Sequence, residues 1–256
     1  MEKIDKRKWW NQLDDNWKNI FKKAISIKTE PSDNDLEKIV NLPELDCSKN
    51  QLSDLEPLRA LTNLQELNCE DNQISDLGPL KKLMKLRYLK CWRNQISDLG
   101  PLSTLTNLEK LELGKNQLEK KNQHSRLEPL RALTKLEVLK CHENQLSDSD
   151  LEPLRALTEL RELNCSINKI NDLSPLKDLT KLEKLFLNDN EIKDLSPIHD
   201  LKKLNHLNCN KNNEITDLSP LHNLKNLQKL YLRGNQISDL ELKEFQKAVP
   251  NCKVYS

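Results

Sequence analysis

The sequence repeats itself at a step of 22 residues, and this period constrains the fold more than any other feature. One unit carries Leu64, Leu67 and Cys69 at fixed spacing and closes its first half at Asn72. Nine such units follow one another, each marked by an asparagine: Asn50, Asn72, Asn94, Asn116, Asn144, Asn168, Asn190, Asn212 and Asn235. Self-similarity at this period is typical of a solenoid, in which each repeat packs against its neighbours.

Each unit divides into a strand half and a turn half. The first half alternates apolar and polar residues, which predicts a short strand with its apolar face inward and a parallel sheet of nine stacked strands. The second half, Asp-Leu-x-Pro-Leu, predicts short helical or 3₁₀ turns on the outer side, because proline fits a first helical turn. We expect its aspartate, as at Asp54 and Asp76, to occupy the cap position.

Two positions of the unit have structural rather than catalytic interpretations. The asparagine amide is expected to satisfy backbone groups that the turn leaves unpaired. Six of the seven cysteines share one repeat position with leucines, which predicts buried core residues and no metal site: Cys47, Cys69, Cys91, Cys141, Cys165 and Cys209. Reduced thiols indicate the cytosol, and a secreted protein whose signal segment was removed is the alternative.

The two ends of the chain depart from the repeat and predict caps. Residues 1–41 form the N-terminal cap, with an amphipathic helix over 5–25 and a second helix that begins at Ser32. The repeats occupy residues 42–237. Residues 238–256 form the C-terminal cap, with a helix that begins at Ser238 and a last strand around Cys252 and Val254. One continuous domain is expected.

Three steps between asparagines exceed 22 residues. The steps are 28 from Asn116 to Asn144, 24 from Asn144 to Asn168, and 23 from Asn212 to Asn235. The extra residues fall around 119–126, around 147–150 and near 213, along one edge of the predicted sheet. Insertions on a repeat scaffold often form loops on a binding face, so this edge is a candidate interface, and drift without function is the alternative.

Composition and motifs exclude several classes of function. Lys and Arg number 41 against 40 Asp and Glu, so no overall charge attracts nucleic acid or an anionic membrane. No secretory signal and no membrane-spanning run are visible. The five histidines show no metal or triad spacing, and there is no glycine-rich phosphate loop. We therefore expect a monomer that is not an enzyme and has no cofactor.

The unit with Ile/Leu-Ser-Asp-Leu-x-Pro-Leu resembles the internalin-like subclass of bacterial leucine-rich repeat proteins over residues 42–240. The resemblance implies an α/β solenoid: a curved horseshoe with a parallel β-sheet on its concave face and 3₁₀ or helical turns on its convex face. Members hold protein ligands on the concave strand face, which implies a protein-binding module here. Known internalins are exported and attached to the surface, whereas eukaryotic phosphatase regulatory subunits use a similar repeat inside cells. We expect an intracellular scaffold or regulator, and an exported adhesin or host-directed effector is the alternative.

The candidate binding site is the set of outward positions on the strands. It comprises Glu66, Glu70, Tyr88, Lys90, Trp92, Lys140, His142, Phe186, His206, Tyr231 and Arg233. The first two strands are acidic and the last three carry Lys184, Lys229 and Arg233, which predicts a polarised strip that orients a protein ligand. Tyr88 and Trp92, about 13 Å apart on one strand, are predicted anchors. Alternatively, these rings only cover the charged stems beside them.

Overall fold

The computed structural model describes residues 5–119 and 125–256. Within these residues, ten short strands pair in chain order into one parallel sheet. The strands are β1 Glu44–Asp46, β2 Glu66–Asn68, β3 Tyr88–Lys90, β4 Lys110–Glu112, β5 Val138–Lys140, β6 Glu162–Asn164, β7 Lys184–Phe186, β8 His206–Asn208, β9 Lys229–Tyr231 and β10 Lys253–Tyr255. The nine predicted repeat strands and the last strand of the C-terminal cap are therefore confirmed, as is the predicted α/β solenoid.

The strands are in register from one end of the sheet to the other. Leu67 of β2 pairs with Leu45 of β1 and with Leu89 of β3, and the same leucine position continues along the sheet. The central residue of each repeat strand is buried, while its two neighbours face outward and are half-buried or exposed. One face of the sheet thus covers the core, and the other presents two rows of side chains that cross the strands.

The turn half of the first eight units forms 3₁₀ helix, as predicted, and the ninth continues into the C-terminal helix. These segments are Glu56–Ala60, Gly78–Lys82, Gly100–Thr104, Glu128–Leu130, Glu152–Ala156, Ser174–Leu176, Ser196–Ile198 and Ser219–Leu221. The prediction that aspartate is the cap residue was wrong, because a leucine such as Leu77 takes that position. Asp76 lies one residue earlier and accepts a hydrogen bond from the Gly78 N–H at 2.7 Å, so an Asx turn precedes the helix.

The asparagines form a buried hydrogen-bond ladder. The Asn94 amide donates to the carbonyl oxygens of Cys69 at 3.0 Å and Cys91 at 3.1 Å, and its oxygen accepts from the Ile74 N–H at 3.0 Å. Equivalent contacts recur at Asn116 and along the chain. The predicted structural role is confirmed, because the amides from Asn72 to Asn212 join neighbouring repeats through backbone groups that would otherwise be unpaired.

The cysteine positions lie in the core. All seven cysteines, which belong to the described part of the chain, are free and buried. Burial raises the pKa of Cys47, Cys91 and Cys165 to about 12. These thiols are therefore protonated, as expected of small apolar core residues.

The N-terminal cap differs in one respect from the prediction. The single helix expected over 5–25 is two helices, α1 Lys6–Asn11 and α2 Asp15–Ala24, because Asp14 caps α2 by accepting from the Trp17 N–H at 2.8 Å. Helix α3, Asp33–Val40, begins after the predicted capping box of Ser32 and Asp35. The buried rings of Trp10, Trp17 and Phe21 supply much of this cap's apolar packing.

The remaining helices lie at the second insertion and in the C-terminal cap. Helix α4, Asp148–Leu151, is formed by the insertion around 147–150 and contacts Ser125 and Arg126 of the larger insertion. Residues 120–124 of that larger insertion lie outside the described residues. Helix α5, Asp239–Ala248, is capped by Ser238 as predicted. No helix among the residues described meets the length and apolarity needed to cross a membrane.

Candidate functional site

The outward face of the sheet is the concave face, and the sequence-predicted site residues lie along it. Each strand contributes a first and a last residue to this face, and a third position lies two residues beyond the strand. In β3 these positions hold Tyr88, Lys90 and Trp92, and in β9 they hold Lys229, Tyr231 and Arg233. The three rows run across the whole sheet because the strands are in register.

The N-terminal end of this face is acidic and forms a recess. A cavity of about 530 Å³ lies between helix α2 and strands β1 to β3, with Ile20, Lys23 and Ala24 on the helix side. Its strand side includes three carboxylates and one lysine: Glu44, Asp46, Glu66 and Lys90. This corner of the concave face therefore combines apolar side chains with an excess of carboxylates over lysines.

The two predicted anchors of β3 already contact charged neighbours. The indole N–H of Trp92 donates to the Glu70 carboxylate at 2.6 Å. The Lys110 ammonium lies 4.9 Å from the centre of the Tyr88 ring, and the Arg87 guanidinium lies 5.3 Å from it. Both rings are half-buried. These contacts fix the orientation of the rings. They also occupy the Trp92 N–H and a face of the Tyr88 ring, which a ligand could otherwise contact.

In the middle of the face, the His142 ring packs directly over Gly114. A Cβ atom at Gly114 would lie 2.2 Å from Cε1 of His142, so the imidazole fills the space where a side chain would stand. Nδ1 of His142 is buried without a hydrogen-bond partner among the described residues. Burial lowers the pKa of His142, so this ring is neutral at pH 7.

The charges in the middle of the face cancel locally. The Lys140 ammonium lies 3.1 Å from the Glu112 carboxylate and 4.0 Å from that of Glu162. Glu162 also pairs with Lys184 at 3.2 Å. This part of the face offers little net charge to a ligand.

Four aromatic rings contact one another in succession across strands β7 to β10, at the C-terminal end of the face. The His206 ring comes from the first position of its strand, and the other three come from the last position of theirs. Ring centres are 5.0 Å apart between Phe186 and His206, 5.2 Å between His206 and Tyr231, and 4.4 Å between Tyr231 and Tyr255. Tyr231 and Tyr255 are stacked nearly parallel, with 3° between their ring planes, whereas the other two pairs are tilted by 44° and 31°. We call these four residues the ring ladder.

The structure brings together residues that the sequence placed only as separate candidates. Phe186, His206 and Tyr231 form one continuous surface, whereas Tyr88 and Trp92 form a separate one. Tyr255 was missed because it was assigned to the C-terminal cap. The signal that could have found it is strand alternation: Val254 occupies the inward position next to Leu230 of β9, so Tyr255 must face outward beside Tyr231.

Burial, reinforced by Lys229 and Lys184, lowers the pKa of His206 within the ring ladder. The ring is therefore neutral at pH 7 and packs as an aromatic side chain.

Among the described residues there is no group of three or more His, Cys, Asp or Glu side chains that could hold a metal ion.

Comparison of the sequence with profiles of known protein families shows which family it belongs to. A profile of the family described as leucine-rich repeats (2 copies) matches residues 40–82, 85–132, 134–178, 158–199, 180–221 and 202–244. The chain belongs to the leucine-rich repeat family. A search of curated protein sequences finds no match.

Solved structures place this leucine-rich repeat protein among the bacterial internalin-like members. It is similar to an internalin (InlF) from Listeria monocytogenes, with 34% sequence identity and a TM-score of 0.78 over 88% of this chain and 63% of that chain. An internalin C2 from the same species is 29% identical, with a TM-score of 0.75 over 93% of this chain and 100% of that chain.

A leucine-rich repeat protein from Leptospira interrogans is 28% identical, with a TM-score of 0.78 over 90% of this chain and 58% of that chain. The chain thus spans less than two thirds of the InlF and Leptospira proteins. The fold implies a module for protein–protein interaction.

Proposed function

We propose that this leucine-rich repeat protein is a non-enzymatic module that binds a protein ligand on its concave face, as an intracellular scaffold or regulator. The observation that carries this proposal is the ring ladder on the outward face of the sheet. Phe, Trp and Tyr make up only 4% of the sequence, yet three of them meet here together with a histidine ring. Tyrosines and other large side chains at the centre of an interface tend to dominate its binding energy.

The ring ladder is not part of the hydrophobic core of the solenoid. Leu185, Leu207 and Leu230 fill the core side of the same strands and are fully buried. The rings lie on the opposite side and are half-buried, mainly through one another. The ring ladder on the outward face is therefore available to contact a partner.

Tyr88 and Trp92 are the second part of the proposed site. Their contacts with Lys110 and Glu70 favour, in part, the alternative that these rings cover charged neighbours. We therefore rank them below the ring ladder as anchors. Lys90 lies between Tyr88 and Trp92, and Lys140 and His142 complete the proposed surface between the two aromatic groups.

Affinity capture from a lysate of the source organism tests the binding face. The wild-type protein is compared with Tyr231→Ala and with Tyr88→Ala/Trp92→Ala, and each variant must keep the wild-type unfolding temperature. We expect Tyr231→Ala to lose the captured protein most strongly. A Met84→Ala variant is the control, because Met84 is an exposed apolar residue at 48% exposure that lies outside the concave positions.

Capture of the same protein at the same strength by all variants would exclude the concave face. The edge near residues 119–126 would then be the better candidate. Size-exclusion chromatography with light scattering tests the proposed monomer in the same samples.

The cell compartment is a separate part of the proposal. Seven free, buried thiols support a reducing environment. The likeness to the internalin InlF supports the alternative of an exported adhesin or host-directed effector, since known internalins are exported. Fractionation of cells into cytosol, envelope and medium separates these two functions.

A further inference from the structure

We propose that the C-terminal end of the concave face binds an acidic, extended peptide segment of the protein ligand. The inference rests on the proposed function of the concave face and names the chemistry of the partner. Its evidence is the ring ladder together with the cations that flank it.

Strands β7 to β10 carry cations beside the ring ladder. The concave positions of these strands, all of them described, hold no carboxylate and include Lys184, Lys229, Lys253 and Arg233. Lys184 pairs with Glu162 of the preceding strand. No described carboxylate lies within ion-pair distance of Lys229 or Arg233, which leaves their charges available to an anionic partner.

The geometry of the rings favours a peptide over a nucleic acid. Bases bind proteins by stacking on the open faces of aromatic rings. In the ring ladder, the faces of His206 and Tyr231 are covered by neighbouring rings, and Lys253 lies 5.0 Å from the centre of the Tyr255 ring. For these two central rings, the edges and the Tyr231 hydroxyl group remain for a ligand. Ring edges carry partial positive charge and so complement carboxylate and carbonyl oxygens.

The spacing of the rows suits an extended chain laid across the strands. Adjacent strands lie about 4.8 Å apart, so β7 to β10 span about 14 Å, the length of roughly four extended residues. Alternate side chains of an extended peptide point the same way. Two alternate carboxylates of such a peptide lie about 6.6 Å apart, and the long side chains of Lys229 and Lys253, which start about 4.8 Å apart on adjacent strands, can diverge to reach one each. The backbone of the peptide would then pass over Tyr231 and Tyr255.

The opposite end of the face determines where the acidic segment binds. Glu44, Asp46, Glu66 and Glu70 lie on or beside β1 and β2 and would repel a carboxylate-rich peptide. The same segment is therefore confined to the C-terminal end. The direction of a longer ligand along the solenoid follows from this difference.

An NMR titration with defined probes tests the inference. The main probe is a capped decapeptide of alternating glutamate and threonine, added to protein with labelled aromatic rings. We expect saturable shifts of the His206, Tyr231 and Tyr255 signals. A Lys229→Gln/Lys253→Gln variant should raise the dissociation constant about tenfold, which corresponds to the loss of two charge contacts. A Lys81→Gln/Lys82→Gln variant, changed at exposed residues of a convex-face turn, should bind as the wild type does.

Three further probes give outcomes that would overturn the inference. Equal binding of a matched peptide with glutamine or lysine in place of glutamate would show that negative charge is not recognised. Binding of single-stranded dT10 that is tighter, and is lost in Lys229→Gln/Lys253→Gln, would make this a nucleic-acid surface. Absence of saturable shifts with the glutamate peptide up to millimolar concentration would also refute the acidic partner.

This result is separable from the proposed function. If Tyr231→Ala abolishes capture of a protein ligand while the glutamate peptide fails to bind, the concave face is the binding site and only the acidic chemistry is wrong. If the peptide binds as expected while capture is unaffected by every concave-face variant, the proposed function fails by itself.

Discussion

The fully buried carboxylate of Asp150 accepts two hydrogen bonds from Arg126, one from its backbone N–H and one from its guanidinium, each at 2.7 Å. The Arg126 guanidinium also donates to the Leu118 carbonyl oxygen at 3.0 Å. Ser147 donates to the same carboxylate through its backbone N–H at 2.9 Å and its hydroxyl at 3.0 Å. Asp150 thus ties the start of helix α4 to the far end of the larger insertion.

The first prediction is that Arg126→Met lowers the free energy of unfolding by about 3 kcal/mol, because it leaves a buried carboxylate without its cation. Arg131→Met is the matched control. Arg131 pairs with Glu128 at 2.7 Å with both side chains exposed, so its loss should cost about 0–1 kcal/mol. Urea unfolding measures both values. Equal costs would show that the burial of Asp150 adds nothing.

The second prediction concerns the cysteine core. Cys141→Ser should lower the free energy of unfolding by about 1–3 kcal/mol, because a hydroxyl would stand where no partner is arranged. Alkylation of the native protein should be slow at all seven buried thiols, since burial raises the pKa of Cys141 well above its ordinary value. Fast labelling without unfolding would contradict the core assignment.

The third prediction is that Ile167→Asn stabilises the fold by about 1 kcal/mol. Ile167 has φ of 54°, a left-handed conformation that is unfavourable for a β-branched residue. Its side chain is 45% exposed, so apolar burial does not offset this cost. Asparagine tolerates this conformation. Ile167→Val keeps the β-branch and should show no gain in urea unfolding. A destabilised Asn variant would show that the isoleucine makes a favourable contact.

The fourth prediction is a loss of stability as the pH falls below about 6.5, the ordinary pKa of histidine. Burial lowers the pKa of His142 and His206, so the unfolded chain binds more protons than the folded one in this range. The stability these neutral rings contribute is present above pH 6.5 and is lost as pH falls through their lowered pKa values. A His142→Asn/His206→Asn variant should show a flatter dependence between pH 7 and pH 5.5. An unchanged slope would exclude these histidines as the cause.

The sequence predicted the parts of the fold that depend on period. Leu67, Cys69 and Asn72 have equivalents in every repeat, so their burial and hydrogen bonds follow from the pattern. The helix break at Asp14 was missed because the apolar spacing of Trp10 and Trp17 continues across it. A side-chain cap is a local hydrogen bond that hydrophobic periodicity does not report.

The sequence predicted which residues of the candidate site face outward, but not which of their side chains contact one another. The outward positions of Phe186, His206 and Tyr231 follow from strand alternation, and the structure places them there. Their stacking depends on side-chain torsions, and Tyr255 lies outside the repeat. The contact of Arg126 with Asp150 joins two irregular insertions, for which the sequence offers no period at all.

The coupling of the two insertions limits how this chain can change its length. Elsewhere in the solenoid a whole 22-residue unit contacts only its neighbours, so adding or deleting one leaves each remaining junction intact. Between Leu118 and Asp150 the junction differs from the others in the described part of the chain, because the Arg126 guanidinium must reach both of them. A unit inserted there would separate the two halves of the contact. We therefore expect whole repeats to be added or removed without loss of stability on either side of this segment, but not within it.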